Sequence, residues 1–171
     1  MKKIAVLLLF VLLMSCGATV NYDYEKSTDF TQYKTYNYFS DMQSGLSELD
    51  EKRFIAALNE ALKDKGFALA ETPDFFIDIQ SEVYDTNNQS NVGVGLGGGG
   101  RNVGGGLSIG IPVGQSSMTR LILVEFIDKD RIGLFWQANS SSSYRQNASP
   151  EKREADFRTL ASKILSKYPP K

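Results

Sequence analysis

Thr119-Arg120-Leu121-Ile122-Leu123-Val124-Glu125-Phe126-Ile127-Asp128, then Lys129-Asp130, then a second run from Arg131 to about Ser140, is the stretch from which the fold can be read. Leu121 to Val124 is continuously apolar, which predicts a central strand covered on both faces. Lys129 and Asp130 form the polar tip of a tight hairpin, so the second strand runs antiparallel to the first. Ile132, Leu134, Trp136 and Ala138 are expected to share one face of it. The polar run from Asn139 to Ser143 is expected to leave the sheet.

Upstream, Pro73 breaks the chain, and Phe75, Ile77, Ile79 and Val83 alternate with Asp78, Gln80 and Glu82 as a half-buried strand. Ser47 to Lys65 is the clearest helix. Ser47 suits the N-cap, Glu48, Asp50 and Glu51 fill the first turn, and Phe54, Ile55, Leu58 and Leu62 make one apolar face that Gly66 terminates. A second helix begins at Ser149-Pro150, carries Phe157, Leu160, Ala161, Ile164 and Tyr168 at helical spacing, and stops at Pro169-Pro170.

Between Tyr22 and Phe39 stand seven aromatic residues. Tyr22 and Tyr24 alternate with Asn21 and Asp23, and Tyr36 and Tyr38 with Thr35 and Asn37, which predicts two strands separated by a turn around residues 26–32. Tyr22, Tyr24, Tyr36, Tyr38 and Trp136 are the candidate binding surface, a platform on which sugar rings or a partner's side chains would stack. The competing account is ordinary sheet packing, since tyrosine combines an apolar body with a wet tip.

The order of elements predicts an α+β domain. It is expected to be a two-layer sandwich, with helices 47–65 and 150–168 on one face of a largely antiparallel sheet. Residues 92–114 interrupt it with 11 of the 15 glycines. Gly93-Val94-Gly95-Leu96-Gly97-Gly98 spells the dinucleotide pattern, but no helix can start in the glycines that follow, so no phosphate site is expected. This excursion is read as a long hairpin connection, or as an apolar flap that meets a bilayer or a partner.

At the N-terminus, Lys2-Lys3 precede an uncharged apolar run from Ile4 to Met14 and then Ser15-Cys16-Gly17. The run is too short to span a bilayer and suits a signal segment. The arrangement resembles the lipobox of bacterial lipoproteins, which implies cleavage after residue 15 and acylation of Cys16. Residues 16–19 would then be a lipidated cysteine and a tether, and residues 20–171 a single domain. Several acyl chains at about 0.8 kcal/mol per buried methylene make a lasting anchor. The five residues around that tether reach roughly 17 Å at most, which holds the domain against the membrane. Gly17 and Ala18 lack acidic neighbours, and by analogy with lipoprotein sorting this implies the outer membrane, facing the periplasm.

Composition narrows the chemistry. There is no histidine, and Cys16 is the single cysteine, so Ser-His-Asp and Cys-His nucleophiles and His/Cys zinc sites are excluded. No catalytic residue, metal or cofactor is expected. Loss of residues 1–15 removes two lysines and no acid, leaving 17 basic against 20 acidic residues, a balance that argues against a nucleic-acid partner. Asp74 and Asp78 lie four apart on one strand side, about 13 Å from each other, and are read as solvated charges.

The chain also resembles bacterial envelope lipoproteins grouped as domain of unknown function number four-one-three-six. The carriers are Val20-Asn21-Tyr22-Asp23-Tyr24, Asp29-Phe30 with Tyr33-Lys34-Thr35-Tyr36, Gly66-Phe67, Pro73-Asp74-Phe75, Leu123 to Asp128, the Trp136 strand and Tyr168-Pro169-Pro170. Glu125 stands where that pattern has aspartate, and Gln137-Ala138 where Arg-Gly often follows the tryptophan. The family has no established activity, so the resemblance implies fold and location. The leading expectation is a non-enzymatic, membrane-anchored binding or assembly domain that meets an envelope protein or glycan. The alternative is a carboxylate-dependent enzyme acting on envelope polysaccharide, with Asp74, Asp78, Glu82 and Asp128 as its named acids.

Overall fold

The computed structural model describes residues 18–85, 118–130 and 133–170. Cys16, the expected signal segment and the glycine-rich excursion at 92–114 lie outside them. Six strands appear: β1 (Thr19–Tyr24), β2 (Thr35–Tyr38), β3 (Ala68–Leu69), β4 (Phe75–Asp85), β5 (Met118–Asp128) and β6 (Gly133–Tyr144). The described residues also form two helices, α1 (Glu48–Asp64) and α2 (Pro150–Ile164), and 3-10 turns at Phe30–Gln32 and Leu165–Lys167. Among the described residues no helix is long and apolar enough to cross a membrane.

The expected α+β sandwich is what forms. The sheet order is β1-β6-β5-β4-β2-β3, antiparallel except where β2 lies parallel to β4 and to β3. A parallel pair needs a long crossover, and α1 provides the one between β2 and β4. Both helix starts follow their caps: the Ser47 hydroxyl accepts from the Asp50 N–H and the Ser149 hydroxyl from the Lys152 N–H. Gly66 ends α1 at φ +86°, a conformation that costs glycine little. Gly45 is required more strictly, because at φ +68° a Cβ there would lie 2.5 Å from the Ser81 carbonyl oxygen.

One face of the sheet is the core. Phe54, Leu58 and Leu62 of α1 and Phe157, Leu160 and Ile164 of α2 pack over Phe75, Ile77, Ile79, Ile122, Val124 and Phe126. Phe54 meets Phe157 at 5.4 Å between ring centroids, joining the helices. Phe126 sits 4.6 Å from Trp136 and 4.7 Å from Tyr168, so the chain's last aromatic closes the layer.

Four expectations need correction. The run from Leu121 to Val124 is central but not covered twice: Ile122 and Val124 are buried under helices, while Leu121 and Leu123 are half-exposed on the opposite face. The polar run 139–143 stays in the sheet, paired with β1 and β5 to Tyr144, because ladder hydrogen bonds are made by backbone whatever the side chain. Leu134 does not share a face with Trp136. A bulge lets Ile127 pair with Leu134 and Phe126 with Trp136, so Phe135 is the extra residue; Phe135 and Trp136 both turn inward, and Leu134 is left 46% exposed. Val83 falls beyond the helices at 37% exposure, so the buried alternation of β4 stops at Ile79.

Candidate functional site

The five aromatic residues expected to form a platform all belong to the helix-covered side. Trp136 is 1% exposed, and Tyr36 and Tyr38 both donate from their hydroxyls to Asn59 Oδ1 of α1, at 3.0 and 2.8 Å. Burial pushes the Tyr38 hydroxyl pKa well up, and neighbouring Tyr36 adds to the shift. Tyr22 donates to the Lys163 carbonyl oxygen at 2.6 Å, tying the first strand to the last helix. Tyr24 alone is largely accessible, at 41%, and its ring meets Phe30 edge-on. Residues at even positions from 20 to 24 and 36 to 38 pair with inward positions of β6 and β4, so strand periodicity grouped them correctly but assigned them to the wrong face.

The four named acids do not come together. Asp74 precedes β4 and accepts from the Lys34 and Thr35 N–H groups, each at 2.8 Å, so it is a bracket for β2 and not a solvated strand charge. Burial works to raise its pKa, but hydrogen bonds from Lys34 and Thr35 and the charge of Lys129 outweigh that and hold it below the usual carboxylate value. Asp128 accepts from the Tyr33 hydroxyl at 2.6 Å and from the Asp130 N–H at 2.8 Å, closing the hairpin tip. Asp78 and Glu82 remain, on the face no helix covers.

That open face has a definite pattern. The register sets Phe76, Ile127 and Leu134 in one row, Asp78, Glu125, Gln137 and Asp23 in the next, and Gln80, Leu123, Asn139 and Asn21 after it; Glu82 and Leu121 follow. Phe39 stacks on Phe76 at 4.9 Å, extending the apolar end. Among the described outward positions of β1, β4, β5 and β6 there are four acids and no lysine or arginine. Asp78 and Glu125 stand directly opposite each other, which places their Cβ atoms about 5 Å apart. Burial raises the Glu125 carboxyl pKa, and the Asp78 charge raises it further. Glu125 was not among the residues nominated from sequence. The hairpin register alone would have paired it with Gln137; its meeting with Asp78 depends on how β4 returns to β5.

Among the described residues no group of three or more acidic, histidine or cysteine side chains is placed to hold a metal ion. The arrangement is instead a flat surface of apolar side chains and carboxylates, suited to contact with a cationic, partly apolar surface. The class that fold and site define is thus a small two-layer α+β domain with an acidic, uncovered sheet face. The chain belongs to DUF4136, a domain of unknown function, which it matches over residues 20–170.

No curated protein sequence matches it. In fold it is similar to a PDZ domain protein from Parabacteroides distasonis, at 12% identity and a TM-score of 0.59. That likeness covers 99% of this chain and 40% of the other, so the present chain spans about two fifths of that protein. It is also similar to two structures of the PelC dodecamer from Paraburkholderia phytofirmans, at 12% and 11% identity, each with a TM-score of 0.51 and covering 87% of this chain and 95% of that one.

Proposed function

We propose that the mature protein is a lipoprotein of the bacterial envelope, anchored through Cys16 to the outer membrane and facing the periplasm. There it acts as a non-enzymatic assembly domain whose open sheet face docks a basic segment of another envelope protein. The observation that carries this reading is the face itself: half-buried Phe76, Leu121, Leu123 and Ile127 alternate with Asp23, Asp78, Glu82 and Glu125, with no compensating cation among the described residues. Like charges set opposite each other across strands weaken a sheet, so Asp78 and Glu125 call for a function other than stability. A cationic partner would neutralise the pair and cover the apolar rows together. The similar PelC protein forms a dodecamer, which supports assembly as a use of this fold.

Site-specific photo-crosslinking in the native host tests this. A probe at Leu123 is expected to give one discrete adduct to a lysine- or arginine-rich segment of another protein, and a probe at Leu49, exposed on α1 on the other side, none. An adduct to a glycan, to a second copy or to residues 86–117 of the same chain, or no adduct at all, would overturn the proposed partner. Intact mass of the protein from the same cells tests the anchor separately, since a chain that keeps its first residues or lacks acyl groups is not a lipoprotein.

A further inference from the structure

A groove of about 290 Å³ runs between α2 and the end of β6, with Ala18 in its lining. Its wall carries five cationic side chains, Arg120, Arg145, Lys152, Arg153 and Lys163, against one acid, Asp156. Asp156 is engaged by Lys152. Behind the wall a single buried carboxylate, Asp50, is shared by three guanidinium groups: Arg53 and Arg120 at 3.1 Å and Arg153 at 2.8 Å. Three cations on one anion leave an excess of positive charge in a poorly solvated place, where desolvated charges ordinarily find partners.

Arg120 is the sharpest sign of a missing partner. It is 9% exposed, its guanidinium lies 4.0 Å from the centre of the Tyr144 ring, and its Nε has no hydrogen-bond partner. The first turn of α2 adds the positive end of a helix dipole, since Ala148, Lys152 and Arg153 all line the same groove. Asp50 holds Nη2, so the unsatisfied Nε–H is the donor that a phosphate oxygen would complete.

The position of the groove identifies the source of that phosphate. Ala18 lies two residues after Cys16, so the groove's lining comes within about 7 Å of chain from the anchor. We propose that the groove binds the phosphate of an anionic phospholipid, and that this contact fixes the domain's orientation on the bilayer, turning the acidic sheet face away from a surface of its own charge. The inference rests on the lipid-anchor reading above.

The test uses the lipidated protein in nanodiscs of phosphatidylcholine, with and without phosphatidylglycerol, read by amide hydrogen exchange over residues 142–153. Phosphatidylglycerol is expected to slow exchange there about fivefold or more. The Arg145→Glu/Lys163→Glu variant, changed at two exposed positions, is expected to lose that protection. Lys34→Glu/Lys65→Glu, changed near the opposite, β3 edge of the sheet, is expected to keep it. Equal exchange in both bilayers overturns the proposal, as does loss of protection in both variants, which would mean diffuse attraction. Inorganic phosphate giving the same protection on neutral discs overturns the lipid as the source. Mass analysis of the starting protein decides the anchor on its own, so failure there is distinguishable from failure of the groove.

Discussion

Phe75 and Phe76 are neighbours in sequence and opposites in the structure. Phe75 is fully buried, touching Phe126 at 4.8 Å and Tyr33 at 5.7 Å beneath the helices, while Phe76 stacks on Phe39 on the open side. The same contrast runs through β4 and β5, where inward positions are mostly apolar and outward positions mix leucine and isoleucine with acids that have no cation beside them among the described residues. The covered face is organised for stability: the Tyr22, Tyr36 and Tyr38 hydroxyls are joined to helix backbone or side chains, and only Trp136 Nε1 and the Tyr168 hydroxyl among its described aromatic residues are buried without a hydrogen-bond partner. The open face sets like charges opposite each other, a configuration that folding does not need and that a partner would relieve.

The largest effect is expected from Phe75→Ala, which should destabilise the domain by about 3–5 kcal/mol, measured by chemical denaturation. Phe76→Ala should cost only about 1 kcal/mol, mostly the lost pairing with Phe39. Equal losses at the two positions would mean that the open side is covered in the native protein.

Asp74→Ala should cost about 1–2 kcal/mol by freeing the Lys34 and Thr35 N–H groups at the start of β2. Its pH signature is specific. The folded carboxyl titrates below its ordinary value of 3.8, so its contribution is present above that value and is lost as pH falls through the lower folded one. The variant should therefore unfold less steeply in acid than the parent, in a circular-dichroism titration.

The smallest effect, and of opposite sign, is expected at Glu125. Its folded pKa lies above 4.5, so the charged form opposes folding at neutral pH, and stability rises as pH falls through the folded value toward 4.5. Glu125→Gln should stabilise the isolated protein by about 0.2–1 kcal/mol at neutral pH and flatten that rise. The same substitution should weaken the Leu123 crosslink, separating what the residue does for binding from what it does for folding.

Much of the domain is legible without coordinates because its signals are local. The Ser47 and Ser149 caps, the helical spacing of Phe54, Leu58 and Leu62, the alternation of Phe75, Ile77 and Ile79 and the Lys129-Asp130 tip each depend on residues a few positions apart. The tyrosines were grouped correctly on strand faces for the same reason. Of the two accounts, the outer platform fails and ordinary sheet packing holds, because periodicity tells which side chains share a face and nothing of which face a helix will cover. Asp50 illustrates the other limit: on paper it is one of three acids in a first helical turn, and only folding brings Arg120 and Arg153, 70 and 103 residues away, onto it.

The amino-acid order by itself determined the kinds of elements, their approximate ends, the two-layer class and the exclusion of histidine-dependent chemistry, since these follow from short-range spacing and composition. Tertiary structure decided that β1 and β2, adjacent in the chain, lie on opposite sides of the central strands, that a bulge turns Phe135 inward, that Asp78 faces Glu125 and that five cations gather near Ala18. Those outcomes depend on strand order, register and helix placement, which emerge when many weak contacts between distant residues are satisfied together.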